Sequence, residues 1–175
     1  MKKTLHIFVG FIITVLLILF DQFTKRLAVI HLKDAANIEL IPGVFELSYL
    51  ENRGAAFGIF QGQKTFFIIL TSILLILLVY LYVKIIDEKR YNMLRVIIIV
   101  LVAGAIGNFI DRCAHEYVID FFYFSLIDFP IFNVADIYIV AAVALLMILI
   151  CFYYKEEDLD NLASKFSFLK KKEQK

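Results

Sequence analysis

Asp136 stands in the segment PIFNVADIYIV (Pro130–Val140), which runs on into AAVALLMILICFYY. An ionised carboxylate inside such an apolar run is costly unless it has partners or water. A second aspartate, Asp120, lies in YVIDFFYFSLIDF, a hydrophobic and aromatic stretch expected to dip into a membrane interface. Two carboxylates brought together in a partly dry cleft cannot both ionise easily. Desolvation and mutual repulsion raise one pKa, so the pair shares a proton near neutral pH. The ionised member can then take a proton from water, while the protonated member polarises a carbonyl and assists a leaving amine. The chemistry open to such a pair is peptide hydrolysis without a covalent intermediate.

Plainer readings exist for both residues. Asp136 could snorkel from a helix end to the interface, and Asp120 could be a loop residue facing water. Asp128 fits that loop description better. Other polar residues gather near the same apolar boundaries: Asp21 and Lys25, Asn108, Asp111 and Arg112, and Asn133. Asp21 and Lys25 form an i,i+4 pair in the favourable order, which an ordinary surface salt bridge would also explain. Asn108 and Arg112 share a helical face by the same spacing, and Arg112 is either the partner of Asp111 or a clamp on a neighbouring group. In ENRGAAFG (51–58), Gly54 and Gly58 would let backbone approach a ligand. Ala103, Gly104 and Gly107 would let helices approach closely.

The elements that must position these groups follow from hydropathy. Hydrophobic residues make up 62% of the 175 residues, above the 45–50% usual for a soluble domain. The excess lies in four runs, Leu5–Phe20, Phe66–Val83, Leu94–Ile110 and Ile131–Tyr154, each near the roughly 20 residues needed to cross a bilayer as helix. The first can continue through Asp21 into QFTKRLAVI, and FDQFTK offers no small-residue cleavage site, so this run reads as a retained span. Measured from Ile131, Asp136 would lie about 8 Å inside the fourth span, with Asn133 on its face. No run carries a charge near its middle.

Between the first two spans, NIELIPGVFELSYLEN is broken by Pro42-Gly43, a turn between two strand-like runs, and predicts a small antiparallel sheet. Lys and Arg number twelve on the side of both termini and six on the other, which places the termini in the cytoplasm. Cys113 and Cys151 should lie on opposite membrane faces, too far apart to pair. No metal-ligand spacing is present, so neither a metal nor a cofactor is expected. Leu159, Leu162, Phe166 and Leu169 sit at helical spacing beside basic residues, which suits a helix on the inner leaflet; a frayed, solvated tail is the alternative.

Five blocks, DQFTK (21–25), ENRGAAFG (51–58), GNFIDR (107–112), VIDF (118–121) and FNVAD (132–136), occur in the order seen in bacterial lipoprotein signal peptidases, also called signal peptidase II. The chain resembles that family over nearly its whole length except the tail. The resemblance implies a mainly α membrane protein of four transmembrane helices with a small extracytoplasmic antiparallel β-cradle, here expected within residues 37–60. A single membrane-embedded domain would span residues 1–175, with a cytoplasmic tail over 155–175. It implies an aspartyl endopeptidase of the bacterial cytoplasmic membrane, with its active site near the extracytoplasmic face. Such an enzyme cleaves diacylglyceryl-modified prolipoproteins just before the lipidated cysteine.

The family's catalytic pair falls on Asp120 and Asp136. Its supporting, substrate-contacting and globomycin-contacting positions fall on Asp21, Lys25, Asn52, Gly54, Asn108, Arg112 and Asn133. Asn52 would bind substrate backbone and Asn133 would orient the two aspartates. The expected working unit is a monomer in contact with membrane lipid, with no nucleic-acid partner. The sequence departs from the family at Glu116, where a glycine is usual, and at Ile137, where a serine is common. The first leaves the local loop conformation open and adds a charge near the cleft.

Other readings fare worse. A proton-coupled four-span transporter would need a carboxylate near the bilayer midplane, and none is present. A non-catalytic assembly factor would need these polar residues only for packing. A serine mechanism through Ser125, His115 and Asp120 lacks a G-x-S-x-G pattern, and a metallopeptidase lacks H-E-x-x-H.

Overall fold

The computed structural model describes residues 2–54 and 62–166. Gly58 and the rest of the lead-in past Gly54, together with Leu169 and the terminal lysines, lie outside the described residues. Among the described residues, four helices are long and apolar enough to cross a membrane: α1 (Lys2–Leu32), α2 (Lys64–Ile85), α3 (Asn92–His115) and α4 (Val134–Phe152). The first apolar run does continue past Asp21, giving a 31-residue helix. This is a multi-pass membrane protein, and four crossings put the start of α1, the end of α4 and the α2–α3 connection at one end of the bundle.

At the other end, three strands form an antiparallel sheet in the order β1 (Ile38–Ile41), β2 (Phe45–Asn52), β3 (Val118–Tyr123). Pro42-Gly43 makes the β1–β2 turn: Gly43 has φ +67°, and the Val44 amide donates to the Ile41 carbonyl at 2.9 Å. Proline followed by a residue of positive φ is the pattern of a type II turn. The third strand comes from VIDFFY, read above as an aromatic interfacial stretch. Its period-2 alternation turns Ile119 and Phe121 onto Ala28 and Leu32 of α1 and Val134 of α4. Val118 and Asp120 therefore share the opposite face.

Helix α3 is the centre of the bundle, with α1, α2 and α4 packed around it. Large side chains fill the end near the α2–α3 connection, where Ile85, Tyr91, Leu94, Ile97, Ile98 and Leu149 are buried together. Towards the sheet the packing changes to small residues. A Cβ built on Gly104 would lie 2.6 Å from the Ala135 carbonyl oxygen, and one on Gly107 would lie 2.5 Å from Asp21 Oδ2. Bare backbone there lets polar groups of α1 and α4 close on α3.

Helix α4 begins at Val134 rather than Ile131 because Asn133 caps it. Asn133 Oδ1 accepts from the Asp136 amide at 3.0 Å, and Asp136 Oδ2 accepts from the Asn133 amide at 3.1 Å. This reciprocal capping box puts Asp136 in the first turn of α4, not deeper in the span. Just before it, Phe132 joins the edge of β3: the Phe122 amide donates to its carbonyl and its own amide donates back to Phe122. The tail forms α5 (Glu156–Phe166) and packs Leu162 onto the bundle. Glu116 ends α3 at φ +69°, the left-handed conformation that glycine adopts freely. Its carboxylate pairs with Lys64 of α2 at 3.0 Å.

Replacing Gly104 with Ala should force α3 and α4 apart and cost about 1–3 kcal/mol. Chemical unfolding in detergent measures this. Stability equal to the parent protein would refute the close approach.

Candidate active site

At the sheet end of the bundle, Lys25 is 1% exposed, in surroundings where an unpaired ammonium is strongly disfavoured. All three of its N–H groups are used. Nζ lies 3.0 Å from Asp21 Oδ2, 2.9 Å from Asp111 Oδ2, and donates to Asn108 Oδ1 at 2.9 Å. Both carboxylates are also buried and take further donors. Asp21 Oδ1 accepts from the Ala135 amide at 2.9 Å, and Asp111 Oδ2 accepts from the Ile119 amide at 3.2 Å. Gln22 Nε2 spans the two acids, donating to Asp111 Oδ1 at 3.0 Å and Asp21 Oδ2 at 3.2 Å. The i,i+4 pair on α1 is thus the core of a polar cluster rather than a surface salt bridge. It ties α1 to α3, to β3 beside Asp120, and to the first turn of α4 beside Asp136.

Fixed partners in and around that cluster dictate how three amide side chains face. Asn108 turns Oδ1 to Lys25, so its Nδ2 points at Asp136 Oδ1, 2.8 Å away. Asn133 commits Oδ1 to the capping box, so its Nδ2 donates to Asp120 Oδ1 at 2.6 Å and Asn108 Oδ1 at 3.1 Å. Asn52 Oδ1 accepts from the Gly54 amide at 3.0 Å, which leaves its Nδ2 to donate to Asp120 Oδ2 at 2.8 Å. That last contact is a diagonal one on a shared sheet face, since Asn52 pairs with Val118 and Leu50 with Asp120. Each aspartate therefore holds one donor on each oxygen: Asn52 and Asn133 on Asp120, Asn108 and the Asn133 amide on Asp136.

Arg112 turns away from Asp111 and donates to the Gly54 carbonyl at 3.2 Å, with its guanidinium 4.6 Å from the centre of the Phe67 ring. Of the two roles open to it, the clamp is the one it takes. All nine residues singled out in the sequence thus meet in one hydrogen-bonded assembly. In the sequence Asp111 reads as a boundary charge and a candidate partner of Arg112, and Gln22 carries no signal of its own. The only hints are positional: Asp111 lies three residues after Asn108, and Gln22 follows Asp21 in a helix.

Asp120 and Asp136 both line a cavity of about 790 Å³. Thr71 and Leu74 of α2 form one wall, Ile137 and Val140 of α4 another, and Ala105 of α3 lies between them. The lining is mostly apolar, with its polar groups at the sheet end. Burial, and then the neighbouring Asp136, push the Asp120 carboxyl up to about 7, while the Asn52 and Asn133 donors and the Lys25 charge pull it down. A carboxyl that gives up its proton near neutral pH, beside a second carboxylate, can exchange protons with a bound water or carbonyl.

The sequence signature described as signal peptidase (SPase) II matches residues 13–152. A protein named lipoprotein signal peptidase from Streptococcus thermophilus (strain CNRZ 1066) is 44% identical over 138 residues, covering 79% of this chain and 87% of its own. One of the same name from Staphylococcus aureus (strain JH9) is 40% identical over 151 residues, covering 85% and 91%. A bacterial membrane enzyme solved by the in meso method at 2.3 Å resolution superposes with a TM-score of 0.71 at 37% identity, covering 95% of this chain and 94% of that one. A second, at 1.9 Å, gives the same score at 38% identity over 83% and 94%. With most of its length matched in sequence and in fold, the chain belongs to the signal peptidase II family.

Proposed function

We propose that this chain is an aspartic endopeptidase that removes the signal peptide from diacylglyceryl-modified prolipoproteins, cutting just before the lipidated cysteine. The observation that carries the reading is the pair Asp120 and Asp136, each fixed by two N–H donors, on one cavity flanked by spanning helices. The names of the relatives support the substrate class.

In this mechanism Asp136 is the base. It sits at the N-terminus of α4, where aligned peptide dipoles favour negative charge. Asp120 supplies the proton. Water attacks the scissile carbonyl carbon as its proton passes to Asp136 and the Asp120 proton passes to the carbonyl oxygen. The resulting gem-diol collapses when Asp136 protonates the leaving nitrogen and Asp120 recovers a hydroxyl proton; the C–N bond breaks, and both aspartates return to their starting states. Asn133 touches both carboxyl groups and holds their spacing. Asn52 is placed to exchange its Asp120 contact for substrate backbone.

Signal-peptide helix and acyl chains are both lipid-soluble, so the substrate enters sideways between α2 and α4, with Arg112 and Gly54 at the sheet-end mouth. Globomycin would compete for the same cavity. The excess of Lys and Arg at the terminal end supports cytoplasmic termini and a site near the extracytoplasmic face of the bacterial inner membrane. Residues 1–175 then act as one domain, working as a monomer among membrane lipids.

Purified protein should cleave a diacylglyceryl-modified prolipoprotein peptide and ignore the same peptide without lipid. Asp120→Asn and Asp136→Asn should each fold and lose activity by about 10³-fold or more. Cleavage by either variant near the parent rate would remove that aspartate from the mechanism.

Asp120 must hold its proton, so kcat/KM should fall as pH rises past about 7. Because the Lys25 charge lowers the Asp120 pKa, Lys25→Met should move this alkaline limb to higher pH. It should also cost about 3–5 kcal/mol of stability by stranding buried carboxylates. A limb that stays in place or moves to lower pH, measured on the folded fraction, would contradict the coupling.

A further inference from the structure

Helix α5 begins at Glu156, beyond the end of the family signature at Phe152, and lies at the end of the bundle remote from Asp120 and Asp136. Individual side-chain contacts hold it there. Arg90, in the α2–α3 connection, grips Asp158 with two bonds, Nε to Oδ1 at 3.0 Å and Nη2 to Oδ2 at 2.7 Å. The same Nη2 donates to the Tyr153 carbonyl at 2.7 Å, and the guanidinium lies 4.2 Å from the centre of the Tyr153 ring. Tyr91 Oη donates to the Asp158 carbonyl at 2.7 Å. At the far end of α5, Lys165 pairs with Glu88, and its carbonyl accepts from Tyr80 Oη of α2 at 3.3 Å. Leu162, in the middle, packs on the core cluster that includes Ile85, Leu94 and Leu149.

Through the connection that continues α2, and through Tyr80 on α2 itself, these contacts join α4 to α2, two helices that otherwise meet chiefly through α3. Helices α2 and α4 each pack on α3, and the cavity separates them along its length. At the sheet end α2 is tied to α3 by Lys64–Glu116 and by Arg112 against Phe67. At the other end α5 runs from the foot of α4 to the foot of α2. The cavity-lining residues Thr71 and Leu74 lie nine and six residues from Tyr80, roughly 9–14 Å up a stiff helix. A tilt of α2 at its foot is therefore transmitted to the cavity wall.

We propose that α5 is a bracket that fixes the separation of α2 and α4, and so sets the width of the lateral opening and the bulk of the membrane-borne segment it admits. This rests on the sideways entry of substrate described under the proposed function. Arg90 and Asp158 are positioning residues in this scheme; neither touches the cavity.

The test uses the full chain with Cys113→Ser and Cys151→Ser, spin labels at Ile76→Cys on α2 and Val143→Cys on α4, and pulsed EPR in lipid bilayers. Both label sites are exposed on helix surfaces. Arg90→Ala and Asp158→Asn should each broaden the α2–α4 distance distribution, and the swap of Arg90→Asp with Asp158→Arg should narrow it again. On the lipidated peptide, the single variants should change KM by about threefold or more while kcat stays within about twofold. Unchanged distances in both single variants would overturn the bracket, whatever the activity. Broadened distances with an unchanged KM would overturn its role in admission. If the parent protein cleaves no lipidated peptide, the functional reading fails, while the distances still decide whether α5 holds the two helices.

Discussion

A lysine ammonium enclosed by protein must be met on every N–H, or it is driven out of the fold. Lys25 meets this condition with two carboxylates and one amide oxygen, drawn from its own helix and from α3. The carboxylates are under the same constraint and take backbone amides of β3 and α4. Desolvation thus converts a handful of side chains into a rigid junction of four elements. The Asp120 and Asp136 positions inherit that rigidity. Ile119, bonded to Asp111, precedes Asp120 in the strand, and Ala135, bonded to Asp21, precedes Asp136 in the helix.

Fixed neighbours also remove the rotational ambiguity of the asparagines. An amide left to itself could present oxygen or nitrogen to a carboxylate, with opposite effects on its charge. Lys25 settles Asn108, the α4 cap settles Asn133, and the Gly54 amide settles Asn52. Every amide nitrogen consequently faces an aspartate oxygen. Close packing makes this possible: Gly104 and Gly107 bring backbone within contact of Ala135 and Asp21, where any side chain would intrude. The apolar cavity opens between α2 and α4. Polar contacts at one end and an apolar cavity beside them suit a peptide bond carried in the membrane.

Much of this was legible in the residues. The four apolar runs set the spans, and the turn at Pro42-Gly43 announced its hairpin through the backbone needs of those two residue types. The polar groups could be assigned to one end because no charge interrupts the runs near their middles. β3 was harder, since VIDFFY is hydrophobic on both faces and its pairing with β2 spans some seventy residues of intervening chain. The start of α4 was misplaced because hydropathy continues through Ile131 and Phe132, while the capping box at Asn133 decides the boundary. Asp111 and Gln22 carry no local pattern that separates a buried partner from a surface group. The contacts of α5 depend on Arg90, far away in sequence, so periodicity alone indicated a helix without its docking site.

The proposed mechanism depends on the Asp120 carboxyl of this buried site still holding its proton near neutral pH. Carboxyl ¹³C NMR of aspartate-labelled protein tests it most directly, with Asp120 and Asp136 assigned from the signals lost in their asparagine variants. The expected result is an Asp120 signal that titrates at about 7. An Asp120 signal titrating near the ordinary carboxylate value of about 4 would contradict it.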